Sequence, residues 1–171
     1  MEHTMWEIED QNYEAGFKVI CGVDEAGRGP LAGPVYAAAV ILPPHAQISG
    51  LNDSKKLSDK RRRELFPVIC NQAIAYGIGI ATETEIDEIN ILQATFLAME
   101  RALAQLKVQP DLALIDGNRE KDFGLPVKTV VKGDSLSANI AAASVLAKVS
   151  RDDFMIAQAE KYPQYGFDIH K

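Results

Sequence analysis

The sequence predicts one α/β domain built on a mixed β-sheet with helices packed against it. Short apolar runs rich in β-branched residues indicate strands, and longer stretches with apolar residues every three or four positions indicate helices. After an opening pair of strand patterns, helix and strand patterns alternate along the chain. A length of 171 residues suits one domain, because a chain of this size buries roughly 70% of its unfolded surface.

Five segments have the pattern of strands. The first two, "FKVICGVD" and "VYAAAVIL", are predicted to be neighbours, because the turn signal Gly33-Pro34 directly precedes the second. The third follows a helix, and the last two each end in an aspartate beside a glycine. The predicted strands cover residues 17–24, 35–42, 73–82, 112–117 and 127–134.

Three segments have the pattern of helices. The first lies in "LSDKRRRELFPVIC", with Ser58 as its candidate N-cap. A long amphipathic helix is predicted over residues 85–106, where apolar residues recur at helical spacing. A final helix is predicted from about residue 137 to residue 162, because Pro163 cannot continue it.

The composition is that of an ordinary globular protein, with 47% hydrophobic and 25% charged residues. No apolar run approaches the roughly 20 residues that span a bilayer, and the first residues, "MEHTMWEIED", do not resemble a secretory signal. Cys21 and Cys70 lack metal-binding spacing and suit free thiols in a reducing compartment. We therefore expect a cytoplasmic protein without a membrane anchor.

The distribution of charge is uneven. A net charge of -6 argues against a nucleic-acid partner, because affinity for phosphate backbones depends on Lys and Arg. Residues 1–14 contain several acids and no Lys or Arg, whereas "DSKKLSDKRRR", residues 53–63, is strongly basic. This basic cluster fits a nucleic-acid contact or, equally well, the solvated start of a helix.

Acids appear where three of the apolar runs end, each with glycine close by. The segments are "GVDEAG", "LIDGN" and "VKGDS", and functional groups of α/β sheets tend to lie at such strand ends. We therefore expect four carboxylates to converge, namely those of Asp24, Glu25, Asp116 and Asp134. The alternatives are that Asp134 caps the last helix, that Asp116 forms a turn, and that Asp24 meets water at a strand end.

Asp24 and Glu25 are adjacent, and successive side chains of a regular strand point to opposite faces. Both can address one site only if the strand does not continue regularly through them. The glycines at 27 and 29 favour such an interruption. The strand is therefore expected to break at this pair, or one of the two residues contributes its backbone carbonyl instead.

Four carboxylates in one site repel one another unless cations compensate. Oxygen ligands without supporting His or Cys suit Mg²⁺ or Mn²⁺, and the three histidines show no ligand spacing. Hard divalent ions held at a sheet edge favour hydrolysis of a phosphodiester, in which two metal ions activate water and stabilise the leaving oxygen.

Several motifs, in order, closely resemble the type 2 ribonucleases H, the bacterial ribonuclease HII family. They are "DEAGRGPLAGPV", "LNDSKKLS", "INILQATFLAM", "LIDGN" and "VVKGDSLSANIAAASVLAKVSRD", and the match covers about residues 19–171. The resemblance implies a ribonuclease H-like fold with a five-stranded mixed sheet, in a catalytic domain of residues 17–171 that follows an acidic N-terminal extension of residues 1–16.

The resemblance also implies an activity. This activity is metal-dependent endonucleolytic hydrolysis of RNA in RNA–DNA hybrids, and 5′ of single ribonucleotides in duplex DNA, with roles in ribonucleotide excision repair and DNA replication. It makes Asp24, Glu25, Asp116 and Asp134 the catalytic ligands of two Mn²⁺ or Mg²⁺ ions, with Asp24 bridging them.

The resemblance assigns the remaining site residues to substrate binding. The loop of Gly27, Arg28 and Gly29 recognises the 2′-hydroxyl group that distinguishes RNA from DNA. The nucleic-acid backbone is contacted by a second set of residues, namely Asn52, Ser54, Lys55 and Lys56. Ser144 and Lys148 share one helical face as further contacts, although Lys148 could instead pair with Asp152 at the surface.

The sequence departs from the family at its end. It stops at "YPQYGFDIHK", whereas family members continue through a Gly-Tyr pair and a basic helical segment. We therefore expect a C-terminally truncated chain, and the alternative function is a catalytically weak or inactive hybrid-binding fragment. The chain is expected to be a monomer, with association possible through apolar surface that the missing segment would cover.

Overall fold

The computed structural model of the chain describes residues 4–27 and 33–161, without the side chains of residues 53–55. Within these residues five strands, five α-helices and two short 3₁₀ helices follow one another. In chain order they are α1 (Glu7–Glu14), β1 (Ile20–Ala26), β2 (Val35–Ile41), the first 3₁₀ helix (Leu51–Lys56), α2 (Asp59–Gln72), β3 (Ala75–Ala81), α3 (Glu83–Ile89), α4 (Ile91–Ala104), β4 (Leu112–Asp116), β5 (Val127–Val130), the second 3₁₀ helix (Gly133–Ser135) and α5 (Ala138–Lys161).

The strands form one mixed sheet in the order β3-β2-β1-β4-β5. Strand β2 pairs antiparallel with both β1 and β3, whereas β4 pairs parallel with β1 and β5. All five predicted strands are present, so the predicted α/β class and the five-stranded mixed sheet are confirmed. Because β1 and β4 are parallel neighbours, their carboxyl ends lie together at one edge of the sheet.

Helices cover both faces of the sheet. Helix α5, with α2 and Trp6 beside it, packs against the face formed by alternate residues such as Ala38 and Val40 of β2. Helix α4 packs against the other face, which includes Cys21 and Val23 of β1. The alternation of side chains along each strand thus divides the core into two apolar layers.

The first half of α5 lies very close to β1. A Cβ atom added at Gly22 would lie 2.2 Å from the backbone carbon of Asn139. Only a residue without a side chain permits this approach. Gly22 precedes Asp24 by two residues, so this contact places the start of α5 directly beside the carboxyl end of β1.

The prediction of one long helix over residues 85–106 is wrong, because two helices occupy this region. Helix α3 ends at Ile89 and α4 begins at Ile91. Between them Asn90 has a φ of 73°, and its side chain accepts a hydrogen bond from the backbone N–H of Gln93. A positive φ cannot be part of a right-handed helix, and Asn adopts it more readily than most residues. Apolar spacing alone does not reveal such a break.

The end of β5 also differs from the prediction. Strand β5 ends at Val130, so Asp134 lies in the second 3₁₀ helix rather than at a strand end. Lys132, with a φ of 57°, turns the chain between them. Ser58 caps α2 as predicted, since its side chain accepts a hydrogen bond from the N–H of Arg61. The predicted end of the last helix, residue 162, lies outside the described residues.

The sequence analysis predicts no element before residue 17, yet α1 occupies Glu7–Glu14. Trp6 and Glu9 are buried, and Trp6 packs against apolar residues of α5. The boundaries between the N-terminal extension and the catalytic domain stay predictions. Over residues 4–27 and 33–161, no helix combines the length and the apolar character needed to cross a membrane.

Candidate metal and catalytic site

Two of the predicted acids lie at the adjacent ends of β1 and β4. Val23 pairs with Ile115 in the parallel register, so Asp24 and Asp116 follow as neighbours on the two strands. By strand alternation both belong to the face against which α5 packs. Asp24 is 5% exposed, whereas Asp116 is half-buried. The fold therefore places one buried and one more accessible carboxylate side by side.

The third acid, Asp134, arrives from the second 3₁₀ helix. The backbone N–H of Gly133 donates a hydrogen bond of 2.9 Å to Oδ1 of Asp116, which fixes this turn to the end of β4. One carboxylate oxygen from each of Asp24, Asp116 and Asp134 lies within 4.8 Å of the others. Asp134 does not cap α5, since the hydroxyl oxygen of Ser137 accepts the hydrogen bond from the N–H of Ile140.

Glu25 lies beside this cluster and contacts Asp24. The expected break in the strand is wrong, because β1 continues through Glu25 to Ala26, which pairs with Tyr36. The backbone N–H of Glu25 donates a 2.8 Å hydrogen bond to Oδ1 of Asp24, and its side chain also hydrogen-bonds to that of Asp24. Glu25 is not among the three acids that share the 4.8 Å separation.

The electrostatic environment disfavours the charged form of Asp24. Burial raises the pKa of this carboxyl group well above its ordinary value, and the hydrogen bond and charge of Glu25 and the charge of Asp116 raise it further. Carboxylates held this close in a dry setting repel one another. A divalent cation bound between them would reverse this effect, because it stabilises the ionised form.

The donor set fits a hard divalent ion. Neighbouring oxygens on one octahedral Mg²⁺ are roughly 3.0 Å apart, since each lies roughly 2.1 Å from the ion. The three carboxylate oxygens, within 4.8 Å of one another, would therefore move closer together when they bind one ion. Carboxylates are the ligands that Mg²⁺ and Mn²⁺ prefer. Three described residues could favour zinc. Cys21 belongs to the opposite core layer, Cys70 lies on α2 beside Tyr76, and His45 contacts Asp10 and Trp6.

Gly27 immediately follows β1 and has a φ of 107°. A Cβ atom there would lie 2.5 Å from Nε of Arg151 and 2.7 Å from the carbonyl oxygen of Pro34. Arg151 is buried, and its Nε donates a 2.9 Å hydrogen bond to that carbonyl. Arg28 and Gly29 lie outside the described residues.

Arg151 belongs to the motif "VVKGDSLSANIAAASVLAKVSRD" but is not among the predicted site residues. Its guanidinium group joins the two sides of the loop, because it contacts Gly27 before the loop and both Gly33 and Pro34 after it. An arginine in an apolar, alanine-rich helix is a weak signal. The importance of Arg151 for this loop becomes visible only in the structure, where its side chain lies beside Gly27 and Gly33.

The predicted backbone contacts lie close to the acids. Asn52 and Lys56 are exposed on the first 3₁₀ helix, which packs against the second 3₁₀ helix, the one that carries Asp134. The side chains of Ser54 and Lys55 lie outside the described residues.

The arginines of the basic cluster make intramolecular contacts. Arg61 donates to the carbonyl of Ser49 at 2.8 Å, and Arg62 donates to the carbonyl of Leu57 at 2.6 Å. Arg63 pairs with Asp59 and Asp153. These three arginines therefore fit the interpretation of the basic cluster as the solvated start of a helix. Lys56 is exposed and remains a candidate for a nucleic-acid contact.

The two predicted contacts on α5 differ in exposure. Ser144 is 1% exposed, and Lys148, one turn later, is half-buried. Asp152 is only 9% exposed, so a pair between Lys148 and Asp152, the alternative interpretation, would not lie on an open surface. The apolar face of α5 explains this burial, because the helix lies across the sheet.

Known proteins with similar sequences include ribonucleases HII. The ribonuclease HII family model matches residues 21–171. A ribonuclease HII of Vibrio campbellii is 54% identical over 165 residues, which cover 96% of this chain and 78% of that protein. One of Endomicrobium trichonymphae is 58% identical over 165 residues, which cover 95% of this chain and 78% of that protein.

The fold is likewise similar to a solved structure. The crystal structure of the ribonuclease H2 from Pyrococcus horikoshii superimposes with a TM-score of 0.73 at 28% identity, covering 88% of this chain and 81% of that one. This similarity confirms the ribonuclease H-like fold that the sequence motifs predict. With three carboxylates converging at the sheet edge and a family match over most of its length, the chain belongs to the ribonuclease HII family of endoribonucleases.

Proposed function

We propose that this chain hydrolyses the RNA strand of RNA–DNA hybrids and cuts 5′ of single ribonucleotides in duplex DNA, using Mg²⁺ or Mn²⁺. The observation that carries the proposal is the convergence of Asp24, Asp116 and Asp134, with carboxylate oxygens within 4.8 Å of one another. Such a cluster at the end of parallel strands provides negative charge where phosphodiester hydrolysis needs bound cations.

Each acid has a distinct part in the proposed site. Asp24 is close enough to Glu25 and Asp116 that both raise its pKa, and its carboxylate would be shared if two divalent ions were bound. Asp116 and Asp134 approach from the other side, joined by the hydrogen bond from Gly133. When bound, divalent ions activate the attacking water and stabilise the leaving oxygen.

Substrate selection is assigned to the Gly27, Arg28 and Gly29 loop. Gly27 follows the strand that carries Asp24 and Glu25, so a sugar held by this loop would lie next to the acids. Recognition of a 2′-hydroxyl group distinguishes RNA from DNA at one nucleotide. Asn52, Ser54, Lys55 and Lys56 are proposed to contact the phosphate backbone, which positions a duplex without reading its sequence. Ser144 and Lys148 stay weaker candidates for the same role.

The test is a cleavage assay on three matched duplexes. One contains a single ribonucleotide in DNA, one is an RNA–DNA hybrid and one is DNA alone. Each is incubated with Mg²⁺ or with Mn²⁺, and the cut is mapped. Asp24→Asn removes a carboxylate at the centre of the cluster, and Asp87→Asn, at an exposed residue of α3, is the matched control.

We expect cleavage 5′ of the ribonucleotide and within the hybrid, none in DNA, and a loss on the order of 10³-fold for Asp24→Asn, because electrostatic stabilisation of the developing charge is lost. Asp87→Asn should cleave like the unaltered chain. Binding of the hybrid without cleavage by the unaltered chain would overturn the proposal and favour the hybrid-binding fragment. Cleavage by Asp24→Asn at the unaltered rate would remove the acids from the mechanism.

A further inference from the structure

Glu9 of α1 is a fully buried acid outside the carboxylate cluster, with 0% exposure. Its Oε2 atom accepts three hydrogen bonds, from the hydroxyl group of Ser137 at 2.7 Å and from the backbone and side-chain nitrogens of Asn139 at 3.1 and 3.0 Å. Burial of a carboxyl group is costly unless donors surround it. The three donors to Oε2 offset part of this cost, while Oε1 is buried without a hydrogen-bond partner among the described residues. Because each donor has a defined direction, the three hydrogen bonds fix Ser137 and Asn139 relative to Glu9.

These donors lie at the beginning of α5. Ser137 precedes the helix and accepts a 3.2 Å hydrogen bond from the N–H of Ile140. The side-chain oxygen of Asn139 accepts a 2.8 Å hydrogen bond from the N–H of Leu42, just after β2. The Glu9 carboxyl group also lies where the helix dipole favours negative charge. Glu9 therefore joins the N-terminal segment, the end of β2 and the start of α5.

A short series of hydrogen bonds continues from this point to the carboxylate cluster. The backbone N–H of Ser137 donates to the carbonyl of Gly133 at 2.8 Å, and the N–H of Gly133 donates to Oδ1 of Asp116 at 2.9 Å. Asp134 is the residue after Gly133. Release of Ser137 would therefore loosen the turn that carries Asp134 and that donates a hydrogen bond to Asp116.

We propose that Glu9 is a positioning residue for the catalytic site, holding the turn of Gly133 and Asp134 in place through Ser137 and Asn139. The activity readout rests on the proposed function. The acidic N-terminal segment is then part of the apparatus that shapes the site. In this assignment Glu9 contacts neither the substrate nor the metal. It influences cleavage only through the hydrogen bonds that join it to Ser137, Asn139 and the turn of Gly133.

The test compares Glu9→Ala with Glu9→Gln. The glutamine keeps an oxygen that can accept the three hydrogen bonds, whereas alanine removes it. Leu106→Ala is the control for general loss of stability, because Leu106 is 5% exposed in the core layer on the opposite face of the sheet. Ser137→Ala provides a second variant that breaks the same connection if Glu9→Ala does not fold.

Two readouts are measured, and the first needs neither metal nor substrate. In the metal-free protein, amide hydrogen exchange at Ser137, Asn139 and Ile140 should be about tenfold faster in Glu9→Ala than in Leu106→Ala, as loss of the hydrogen bonds to Glu9 implies. Glu9→Gln should remain close to the unaltered chain. In cleavage assays, kcat of Glu9→Ala should fall about tenfold with little change in KM, since the turn, not the substrate contacts, is disturbed.

Equal exchange in Glu9→Ala and Leu106→Ala would overturn the proposal, and so would a kcat of Glu9→Ala equal to that of the control. If the unaltered chain does not cleave any hybrid, the proposed function fails, but the exchange experiment still decides whether Glu9 positions the turn. If Glu9→Gln loses as much exchange protection and kcat as Glu9→Ala, the hydrogen-bond acceptor does not position the turn and the assignment is wrong.

Discussion

Among single residues, Asp24 combines a charge that is unfavourable without a metal ion with a proposed role in binding one. It is buried beside Glu25 and Asp116, which raises its pKa and makes its charged form costly in the metal-free protein. The same crowding gives the site its proposed affinity for cations. Such a site lowers the stability of the metal-free protein, because the charged carboxylates repel one another until a cation binds between them.

Asp24→Asn should therefore stabilise the metal-free protein while it abolishes cleavage. Removing one of several repelling carboxyl groups should increase the free energy of unfolding by roughly 1 kcal/mol, which is about one pKa unit of repulsion. Urea denaturation with a chelator present measures this. A metal-free variant that is less stable than the unaltered chain would show that repulsion among these acids is not the dominant effect.

The ion pair of Glu85 and Arg101 gives a prediction about pH. Both guanidinium nitrogens of Arg101 donate to the Glu85 carboxylate, at 2.7 and 2.6 Å, and these bonds lower the pKa of Glu85 from 4.5 to about 2. A lowered folded-state pKa means that the stabilisation is fully present above pH 4.5 and is lost as the pH falls toward 2.

Glu85→Gln should accordingly be less stable than the unaltered chain at neutral pH, and the difference should shrink below pH 4.5. Urea denaturation at a series of pH values measures it, with Glu83→Gln, on the exposed first turn of α3, as the control. A difference that stays constant across the acidic range would contradict the assigned pair.

At the scale of elements, the close approach of α5 to β1 sets the position of the site. Gly22 allows the backbone of Asn139 to lie against the strand, and the same helix begins just after the turn of Asp134. Any displacement of the start of α5 therefore moves the acids relative to one another.

Gly22→Ala should cost about 3 kcal/mol of the free energy of unfolding, at the upper end for overpacking, because the added carbon meets backbone rather than a flexible side chain. It should also reduce cleavage in the fraction that folds. Gly16→Ala is the control, since a Cβ atom there meets nothing within 4 Å and carries only the strain of a φ of 108°. Equal losses of stability in the two variants would contradict the steric explanation.

The elements also show what local sequence can predict. Local sequence predicts strands β1 and β4, because each is an apolar run. It also predicts the acids Asp24 and Asp116, at which these runs end. The break at Asn90 depends on the φ of one residue, and apolar spacing continues unchanged across it. Helix α1 has an unremarkable polar sequence, and only its contacts with α5 show why Trp6 and Glu9 are buried.

At the scale of the whole molecule, three distant segments of the chain provide the cluster. Two parallel strands supply Asp24 and Asp116, and the turn before α5 supplies Asp134. The sequence predicts that these acids meet, because strand ends in α/β sheets form common sites. It does not predict that Asp134 lies in a 3₁₀ helix or that Arg151 and Glu9 support the surrounding segments, because those contacts depend on tertiary packing.

The convergence of Asp24, Asp116 and Asp134 predicts that these acids together bind a hard divalent ion. The most direct test is calorimetric titration of the metal-free protein with Mn²⁺ for the unaltered chain, Asp116→Asn and the exposed control Asp87→Asn. We predict binding to the unaltered chain and to Asp87→Asn, and at least ~10-fold weaker binding to Asp116→Asn, since a charged ligand is lost. Equal Mn²⁺ affinity in all three proteins would contradict the account.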